Sequence, residues 1–493
     1  MEYEPVIGLE FHAQLRTRSK QYCDCQSVNA HLLSEANKHV CPVCLGHPGV
    51  LPVLNRESVV LAMMFGLRVK GNIAQRSIFA RKHYFYPDLP KGYQITQYQT
   101  PLVSGGELEY RDGGNTKTAQ LLRAHLEEDT AKIFYQQSGG LLLDYNRAGI
   151  PLLEIVTKPC FTSAAEAVAF ADELRKVLRE LSVSDASMED GSFRCEPNIS
   201  VRPKGSNELR TKTEVKNLNS FATMRKALEA EYSRQAALYE AGQEVVPCTS
   251  RWDDKDCRTI PMRKKETQAD YRYFDEPDLP PLVLDEAMSV EALARYSKTM
   301  VCVSYQGKMH NFPVGTARLT DFLFSELGLQ ERDAVLLAED RASLELLLTA
   351  SAGTREYMTV AGIVLNEIRP ALLANPALGG ELDLAKVASE LSGLILGKKT
   401  SYSQMKTVFA EVLSTSCSVD DAYMKLGFDE VIGSDSLAAI CTKVIEANEK
   451  AVTDIRKGKL AALQVLVGQV MKETKGKAKP DEAAAELKKQ IGI

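Results

Sequence analysis

The sequence predicts an α+β protein: an antiparallel β-sheet with flanking helices and a small zinc-binding element, then a helical domain and a tail of short helices. Three observations predict it. Up to about residue 285, alternating apolar and polar segments are broken by Gly and Pro, as in hairpins. Beyond that point Leu and Ala recur at helical spacings almost throughout. Four of the eleven cysteines form two close pairs, Cys23-x-Cys25 and Cys41-x-x-Cys44. Domains are therefore expected over 1–285 (zinc element at about 23–44), 286–401 and 402–493, within the two to four that 493 residues allow at roughly 150 each.

Composition excludes several classes. The chain is 44% hydrophobic and 25% charged, which rules out a disordered or collagen-like protein. Its net charge of −5 means that any nucleic acid must be gripped by a local patch. It has no apolar run of about 18 residues, so no membrane span is expected. The start, Met1-Glu2-Tyr3-Glu4-Pro5, reads as neither a signal peptide nor an Arg-rich transit peptide. With mostly scattered cysteines, this predicts a cytoplasmic protein in a reducing compartment.

The elements follow in order. In Val6 to Leu15, residues Ile7, Leu9, Phe11, Ala13 and Leu15 share an apolar face, and Glu10, His12 and Gln14 share the other. Gly105-Gly106, Gly113-Gly114 and Gly139-Gly140 suggest hairpin turns. If Arg123 to Asp129 is extended, Arg123, His125, Glu127 and Asp129 share a face and Glu128 points away. A helix is expected over about Ser163 to Ser182. In Phe193 to Val201, the face Ser192, Arg194, Glu196, Asn198, Ser200, Arg202 opposes an apolar one. Lys212, Glu214 and Lys216 align, and a second helix runs from about Ser220 to Gly242. Asp275 to Leu282 reads as an extended border. Helical spacing then covers Asp340 to Ala352 and Leu382 to Ile395, with Gly397 and Gly427 as helix stops.

A solvated strand face collects mainly Lys, Glu, Thr and Ser. His12, Arg194, Asn198, Asn217 and Asn219 depart from that and point to a functional concave sheet. Carboxylates with one His make a hard, oxygen-rich site suited to Mg²⁺ and a nucleotide phosphate. There is no Walker A motif; Gly393 to Thr400 only looks like one. The four paired cysteines suit tetrahedral, closed, structural Zn²⁺, with His39 and His47 as competitors for one position.

One resemblance covers the whole chain. It rests on Val6-Ile7-Gly8-Leu9-Glu10-x-His12, on Cys41-Pro-Val-Cys44-Leu-Gly46 with Pro48-Gly49-Val-Leu-Pro52, and on Arg81-Lys82-His83-Tyr84-Phe85-Tyr86-Pro87-Asp88. Further strings are Lys91-Gly-Tyr93-Gln94-Ile95, His125-Leu-Glu127-Glu128-Asp129, Asp144-Tyr-Asn146-Arg147-x-Gly149-x-Pro151-Leu-Leu-Glu154-Ile155, Lys216-Asn217-Leu-Asn219-Ser220-Phe221 and Asp270-Tyr271-Arg272-Tyr273-Phe274. These resemble the B subunits of the aspartyl/glutamyl-tRNA amidotransferases, as does Val467-Gly468-Gln469-x-Met471-Lys472-x-x-Lys475-Gly476 near the end.

The resemblance implies a catalytic cradle of antiparallel sheet and an α-helical YqeY-like tail. It implies a glutamine-hydrolysing, ATP-dependent ligase that works as a heterotrimer with an amidase-type A subunit and a small C subunit. ATP phosphorylates the side-chain carboxylate of Glu-tRNA(Gln) and/or Asp-tRNA(Asn), and ammonia from the A subunit then displaces phosphate. It implies catalytic Glu10, His12, Glu127 and Glu154, with Mg²⁺ on His12, Glu127 and Glu154 and with Glu10 and Glu128 close by. ATP or substrate contacts fall on Lys82, Tyr84, Tyr86, Lys91, Tyr93, Arg147, Arg194, Lys216 and Asn217. The family commonly has Asp-Ala where this chain has Glu196-Pro197, and Pro197 predicts an edge or bulge there.

In the tail, Arg456, Lys457, Lys459, Lys472, Lys475, Lys477 and Lys479 form a basic patch in an acidic chain, a candidate tRNA phosphate contact. Another class stays open: a non-catalytic, zinc-stabilised tRNA-binding scaffold, with all catalysis in a partner.

Overall fold

The computed structural model describes residues 2–28, 35–136, 139–264, 271–428, 434–456, 461–474, 478 and 480–492. The chain forms two compact units, Met1–Asp321 and Phe322–Ile493. The first is built on a ten-stranded sheet: β1 (Tyr3–Gln14), β2 (Asn72–Ile73), β3 (Val103–Ser104), β4 (Glu107–Asp112), β5 (Asn115–Glu128), β6 (Pro151–Thr157), β7 (Phe193–Pro203), β8 (Thr213–Lys216), β9 (Cys248–Asp253) and β10 (Arg258–Lys264). Their order is β10-β9-β8-β7-β1-β6-β5-β3-β2, and β4 also pairs with β5.

Strand alternation splits the sheet into two faces. On β1, Ile7, Leu9, Phe11 and Ala13 are buried in the core. Phe11 stacks on Phe193 of β7 with centroids 5.4 Å apart. Helices α1 (Arg56–Arg68), α2 (Ala164–Glu180) and α3 (Phe221–Glu240) supply apolar residues to the same core. Ser163 and Ser220 cap α2 and α3, their hydroxyls accepting the Glu166 and Thr223 N–H groups. The opposite face of the sheet keeps its polar residues, and the small sheet 80–83, 93–96, 274–275 contributes further residues to the cavities there.

One expectation is corrected, and two details are added to the others. Gly105-Gly106 does not turn a hairpin: β3 and β4 lie in one line along β5, with Ser104 opposite Arg123 and Glu107 opposite Gln120. Gly106 breaks that line with φ +113°, and a Cβ there would meet the Val69 carbonyl oxygen at 2.9 Å. The sheet is not wholly antiparallel, because β8 and β9 are parallel, with α3 between them in the chain. Composition changes near 285, but the compact unit continues to Asp321. Leu282–Val283 pairs with Arg76–Ser77, and the helix Glu286–Ser297 joins α1 through Arg56–Glu291 and Arg295–Glu57, both 2.7 Å. The Pro197 reading holds on one side only. The β7–β1 register passes Pro197 without a bulge, whereas pairing with β8 stops at Asn198.

Phe322–Ile493 is helical. Asp340 and Asp383 cap helices Arg341–Ser351 and Leu384–Leu396, and Gly397 ends the second. A one-turn π segment, Val364–Ile368, lies between Tyr357–Ile363 and Arg369–Ala374. The last four helices, from Ser434 to Ile491, enclose a core of their own around Cys441, Leu466, Val470 and Leu487. Among the described residues no helix is long and apolar enough to cross a membrane.

Candidate active site

Register places the chemistry. Across four adjacent strands His125 lies opposite Glu154, Glu154 opposite His12, and His12 opposite Arg194. Residues directly opposite share a face, so four strands distant in sequence deliver one polar row. Glu10 and Glu196 face each other one step away. His12 Nε2 lies 3.4 Å from Glu127, 3.6 Å from Glu154 and 4.0 Å from Glu10. His125 Nε2 is 3.5 Å from Glu154.

Two adjoining cavities open on the row, one lined by His12 and Arg194 and the other by His125 and Glu154. One, of about 290 Å³, is lined by Glu10, His12, Lys82, Tyr84, Glu127, Asp129, Arg194, Glu196, Glu214, Lys216, Thr249 and Tyr271, among others. In it Arg194 pairs with Asp129 at 3.0 Å and Lys216 with Glu196 at 2.6 Å. The second, of about 210 Å³, is lined by Thr96, Gln97, Tyr98, Arg123, His125, Glu154 and Tyr273, and shares Glu10, Lys82, Glu214 and Tyr271 with the first.

Burial and charge set the protonation states. Burial works against a charged His12, but the carboxylates of Glu154, Glu127 and Glu196 around it push its pKa up to about 9. Burial and the nearby Glu154 push Glu127 up to about 7. Burial pushes His125 down to about 4. Burial opposes a charged Glu154 as well, yet His125, His12 and Lys82 hold its carboxyl well below the usual range. Lys216 and His12 outweigh burial at Glu196, which falls to about 2. Buried His12 Nδ1, His125 Nδ1 and Glu127 Oε2 lack hydrogen-bond partners among the described residues. Two overlapping sets, Glu10–His12–Glu154 and His125–Glu127–Glu154, have ligand atoms within 4.8 Å of one another. Carboxylate oxygens with one or two imidazoles suit a hard divalent cation, so the donor set fits Mg²⁺.

A family model described as the GatB/GatE catalytic domain matches residues 5–290, and one described as the GatB domain matches 356–491. The B subunit of the aspartyl/glutamyl-tRNA(Asn/Gln) amidotransferase of Thermoanaerobacter pseudethanolicus is 40% identical over 495 residues, covering 100% of both chains. That of Polynucleobacter asymbioticus is 40% identical over 511 residues, again 100% of both, and that of Thermodesulfovibrio yellowstonii 40% over 481, 97% of each. The chain belongs to the family of aspartyl/glutamyl-tRNA amidotransferase B subunits.

In this member of the family the four predicted zinc ligands converge. Cys23, Cys25, Cys41 and Cys44 offer sulfurs within 4.8 Å of one another, with Cys25–Cys44 at 4.0 Å and Cys41–Cys44 at 3.9 Å. Thiolates about 2.3 Å from tetrahedral zinc stand about 3.8 Å apart, so the set fits a structural Zn²⁺. Neither His39 nor His47 belongs to the cluster. The turn after Cys41 is closed by Leu45 N–H to Cys41 O at 3.0 Å and Gly46 N–H to Val43 O at 3.1 Å. Gly46 (φ +66°) lies against Lys91, where a Cβ would meet the Lys91 backbone N at 3.0 Å.

The other predicted residues divide. Lys82, Tyr84, Arg194 and Lys216 line the larger cavity. Glu128 is turned away from the acidic centre because it follows Glu127 on β5; it pairs with Lys91 and accepts the Ile95 N–H at 3.0 Å. Lys91 and Tyr93 line a separate small cavity with Tyr22, Cys23 and Cys44. Arg147 donates to the Thr130 and Ala131 carbonyls, so it braces the loop after β5. Tyr86 is largely outside, stacked on Tyr84. Asn217 is exposed with φ +62° and lines neither cavity. Lys472 is exposed in the last turn of helix Ala461–Glu473; Lys457, Lys459, Lys475, Lys477 and Lys479 lie outside the described residues. Sequence reasoning misses Asp129, Glu214, Thr249, Tyr271 and Tyr273 as lining residues. Asp129, Tyr271 and Tyr273 stand inside the quoted motifs, and Glu214 alternates with Lys216, whereas nothing local marks Thr249.

Proposed function

We propose that this chain is the subunit that activates and amidates misacylated tRNA. It uses ATP to phosphorylate the side-chain carboxylate of Glu-tRNA(Gln) and/or Asp-tRNA(Asn), then replaces the phosphate with ammonia. The partners are an amidase-type A subunit, which releases ammonia from glutamine, and a small C subunit; the complex is cytoplasmic. The observation that supports this reading is the His125–Glu154–His12–Arg194 row with Glu127 beside it, lining two adjoining cavities that also hold Lys82, Arg123 and Lys216.

In the first half-reaction a carboxylate oxygen attacks the γ-phosphorus, an acyl phosphate forms and ADP leaves. In the second, ammonia attacks the acyl carbon, the C–O bond to phosphate breaks and one proton is released. Glu154, together with His12 and Glu10 or with His125 and Glu127, would hold Mg²⁺, which when bound supplies charge neutralisation on the phosphates; the expected trio His12, Glu127 and Glu154 is split between these two sets. Lys82, whose pKa stays raised despite burial because of Glu127, Tyr273 and Glu154, keeps a full positive charge beside the reacting groups. Arg194 is held in place by Asp129 and offers its remaining donors to a carboxylate. Glu10, raised by burial and by Glu154, fits the group that takes the proton from the attacking ammonia.

The test is single-turnover chemistry with γ-labelled ATP in the assembled complex. Glu154→Gln is expected to cut tRNA-dependent phosphate release at least ~100-fold and leave misacylated-tRNA affinity within about twofold. Retained phosphate release would place the chemistry in a partner and leave this chain a tRNA-binding scaffold.

A further inference from the structure

The chemistry above leaves one fully buried charge unused. Lys20 is completely shielded from solvent. Among the described residues its ammonium has two partners, the His39 carbonyl at 2.7 Å and the Tyr145 carbonyl at 3.3 Å, and no carboxylate. Two carbonyl dipoles replace water poorly around a full positive charge, so a buried lysine calls for a counter-charge.

Its surroundings can supply one. The Lys20 N–H donates to the Cys25 carbonyl at 2.9 Å, so the residue is built into the cysteine element. Its stem and Cys44 pack on the same point: a Cβ on Gly149 would meet Lys20 Cδ at 3.5 Å and Cys44 Cβ at 3.7 Å. The Cys44 sulfur lies in the field of the ammonium. Four thiolates around one divalent cation leave two negative charges, here beside a buried residue of opposite sign.

The ammonium also stands where the cysteine element meets a second segment. The Tyr145 N–H donates to Asn37 Oδ1 at 2.7 Å, the His39 N–H donates to Asn146 Oδ1 at 2.9 Å, and the Gly149 N–H donates to the Asp129 carbonyl at 2.9 Å. Residues 144–149 thus join the cysteine element to Asp129 in the wall of the larger cavity.

We propose that Lys20 is the internal counter-cation of the metal centre: its ammonium balances the four thiolates when zinc is bound, and its carbonyl contacts fasten segment 144–149 to the loaded element. This rests on the zinc reading of the cysteine cluster. The one charge acts oppositely in the two states of the site. With metal bound it sits beside an anion. Without metal the anionic centre is not assembled, and a buried cation remains.

Competition of the full chain for zinc against a chromophoric chelator, with urea unfolding of the zinc-loaded and metal-free forms, tests this. Lys20→Met keeps the apolar stem and removes the charge. It is expected to weaken zinc binding about tenfold or more and to lower the urea midpoint of the loaded chain. The midpoint of the metal-free chain should stay unchanged or rise. Lys20→Gln, which keeps an N–H donor without the charge, should behave as Lys20→Met does. Zinc affinity within about twofold of wild type in Lys20→Met, equal loss of stability in both forms, or wild-type affinity restored by Lys20→Gln would each overturn the proposal and leave Lys20 a brace between two carbonyls. Amide exchange over residues 144–149 should quicken when zinc is removed from the wild-type chain and be already fast in loaded Lys20→Met; exchange there that ignores zinc would overturn the fastening role. A wild-type chain that binds no zinc would remove the zinc reading itself, and the proposal with it.

Discussion

Asp129 shows what one residue contributes here. Its fully buried carboxylate accepts from Gln14 Nε2 at 2.8 Å, from Arg194 at 3.0 Å and from the Thr130 N–H at 2.9 Å, with Arg147 at 3.6 Å. Burial alone would raise its pKa, but Arg147, Arg194 and Gln14 hold it below the usual range. Asp129 therefore fixes the direction of Arg194 from the wall of the larger cavity. Asp129→Ala leaves the Arg194 guanidinium without its hydrogen-bond acceptor and Gln14 without its partner, and should destabilise the chain by about 3 kcal/mol, measured by urea unfolding. Asp129→Asn keeps the Gln14 contact in part and should cost less. At this scale the sequence is informative wherever alternation alone decides a direction. Glu127 faces His12 and Glu128 faces Lys91 because a strand turns successive side chains to opposite sides. Lys91 and Arg147 look like phosphate contacts in the sequence because motif membership does not say which way a loop residue points. Both are spent on the protein itself, on Glu128 and on the Thr130–Ala131 carbonyls.

Elements bring these residues together, and two of them carry separable tests. The entry to α2 is tied by Glu166, which accepts the Thr162 N–H at 2.7 Å, the Thr162 hydroxyl at 2.9 Å and the Tyr110 hydroxyl at 2.8 Å. Burial opposes its charge, but these donors hold its pKa below the ordinary carboxylate value. A carboxylate depressed in the folded state stabilises fully above its unfolded pKa of about 4.3, and that stability is lost as pH falls through the folded value. Glu166→Gln should therefore lower stability at pH 7 by about 1 kcal/mol and flatten the acid limb of a stability–pH curve below about pH 4.5. The cysteine element is the second. Hydrogen bonds from the Cys23 thiol and the Cys41 N–H, with Lys20 nearby, hold the Cys44 thiol below its ordinary range despite burial, while the thiols of Cys23 and Cys25 are pushed up. Cys44→Ser should reduce zinc below one equivalent per chain and speed amide exchange over residues 18–54, read by mass spectrometry. The cysteine spacing reveals this element; its role as a bed for Lys91 does not show in sequence, since the Gly46–Lys91 contact joins segments forty-five positions apart. The parallel β8–β9 pair is hidden for a related reason: short strands read alike in either direction until the crossover helix α3 is placed between them.

The whole chain divides its work between two compact units. The acidic row, both cavities and the cysteine cluster all lie in Met1–Asp321. Phe322–Ile493 contributes none of these, and its last four helices close over a core of their own. The coarse α+β-then-helical order is readable because periodicity changes from two to about 3.6 along the chain. The end of the first unit is not, since composition changes near 285 while ion pairs and a strand pairing hold the next helices to the sheet. If the tail serves as a tRNA clamp, its effect should be electrostatic and separate from chemistry. Between Ala451 and Pro480 seven basic residues face two acids in a chain of net charge −5. Each neutralised phosphate releases about one counterion, so affinity falls with salt by about one log unit of slope per phosphate. Replacing Lys472, Lys475, Lys477 and Lys479 together by Ala should weaken misacylated-tRNA binding at 0.1 M salt by more than about tenfold and flatten the log K against log salt slope by about two to four, roughly one per lysine removed. The rate of phosphate release at saturating tRNA should stay within about twofold, since the acidic row is untouched. An unchanged salt slope would mean that these lysines form a solvated face and that tRNA is gripped elsewhere. A slower saturated rate would mean that the tail also positions the aminoacyl end.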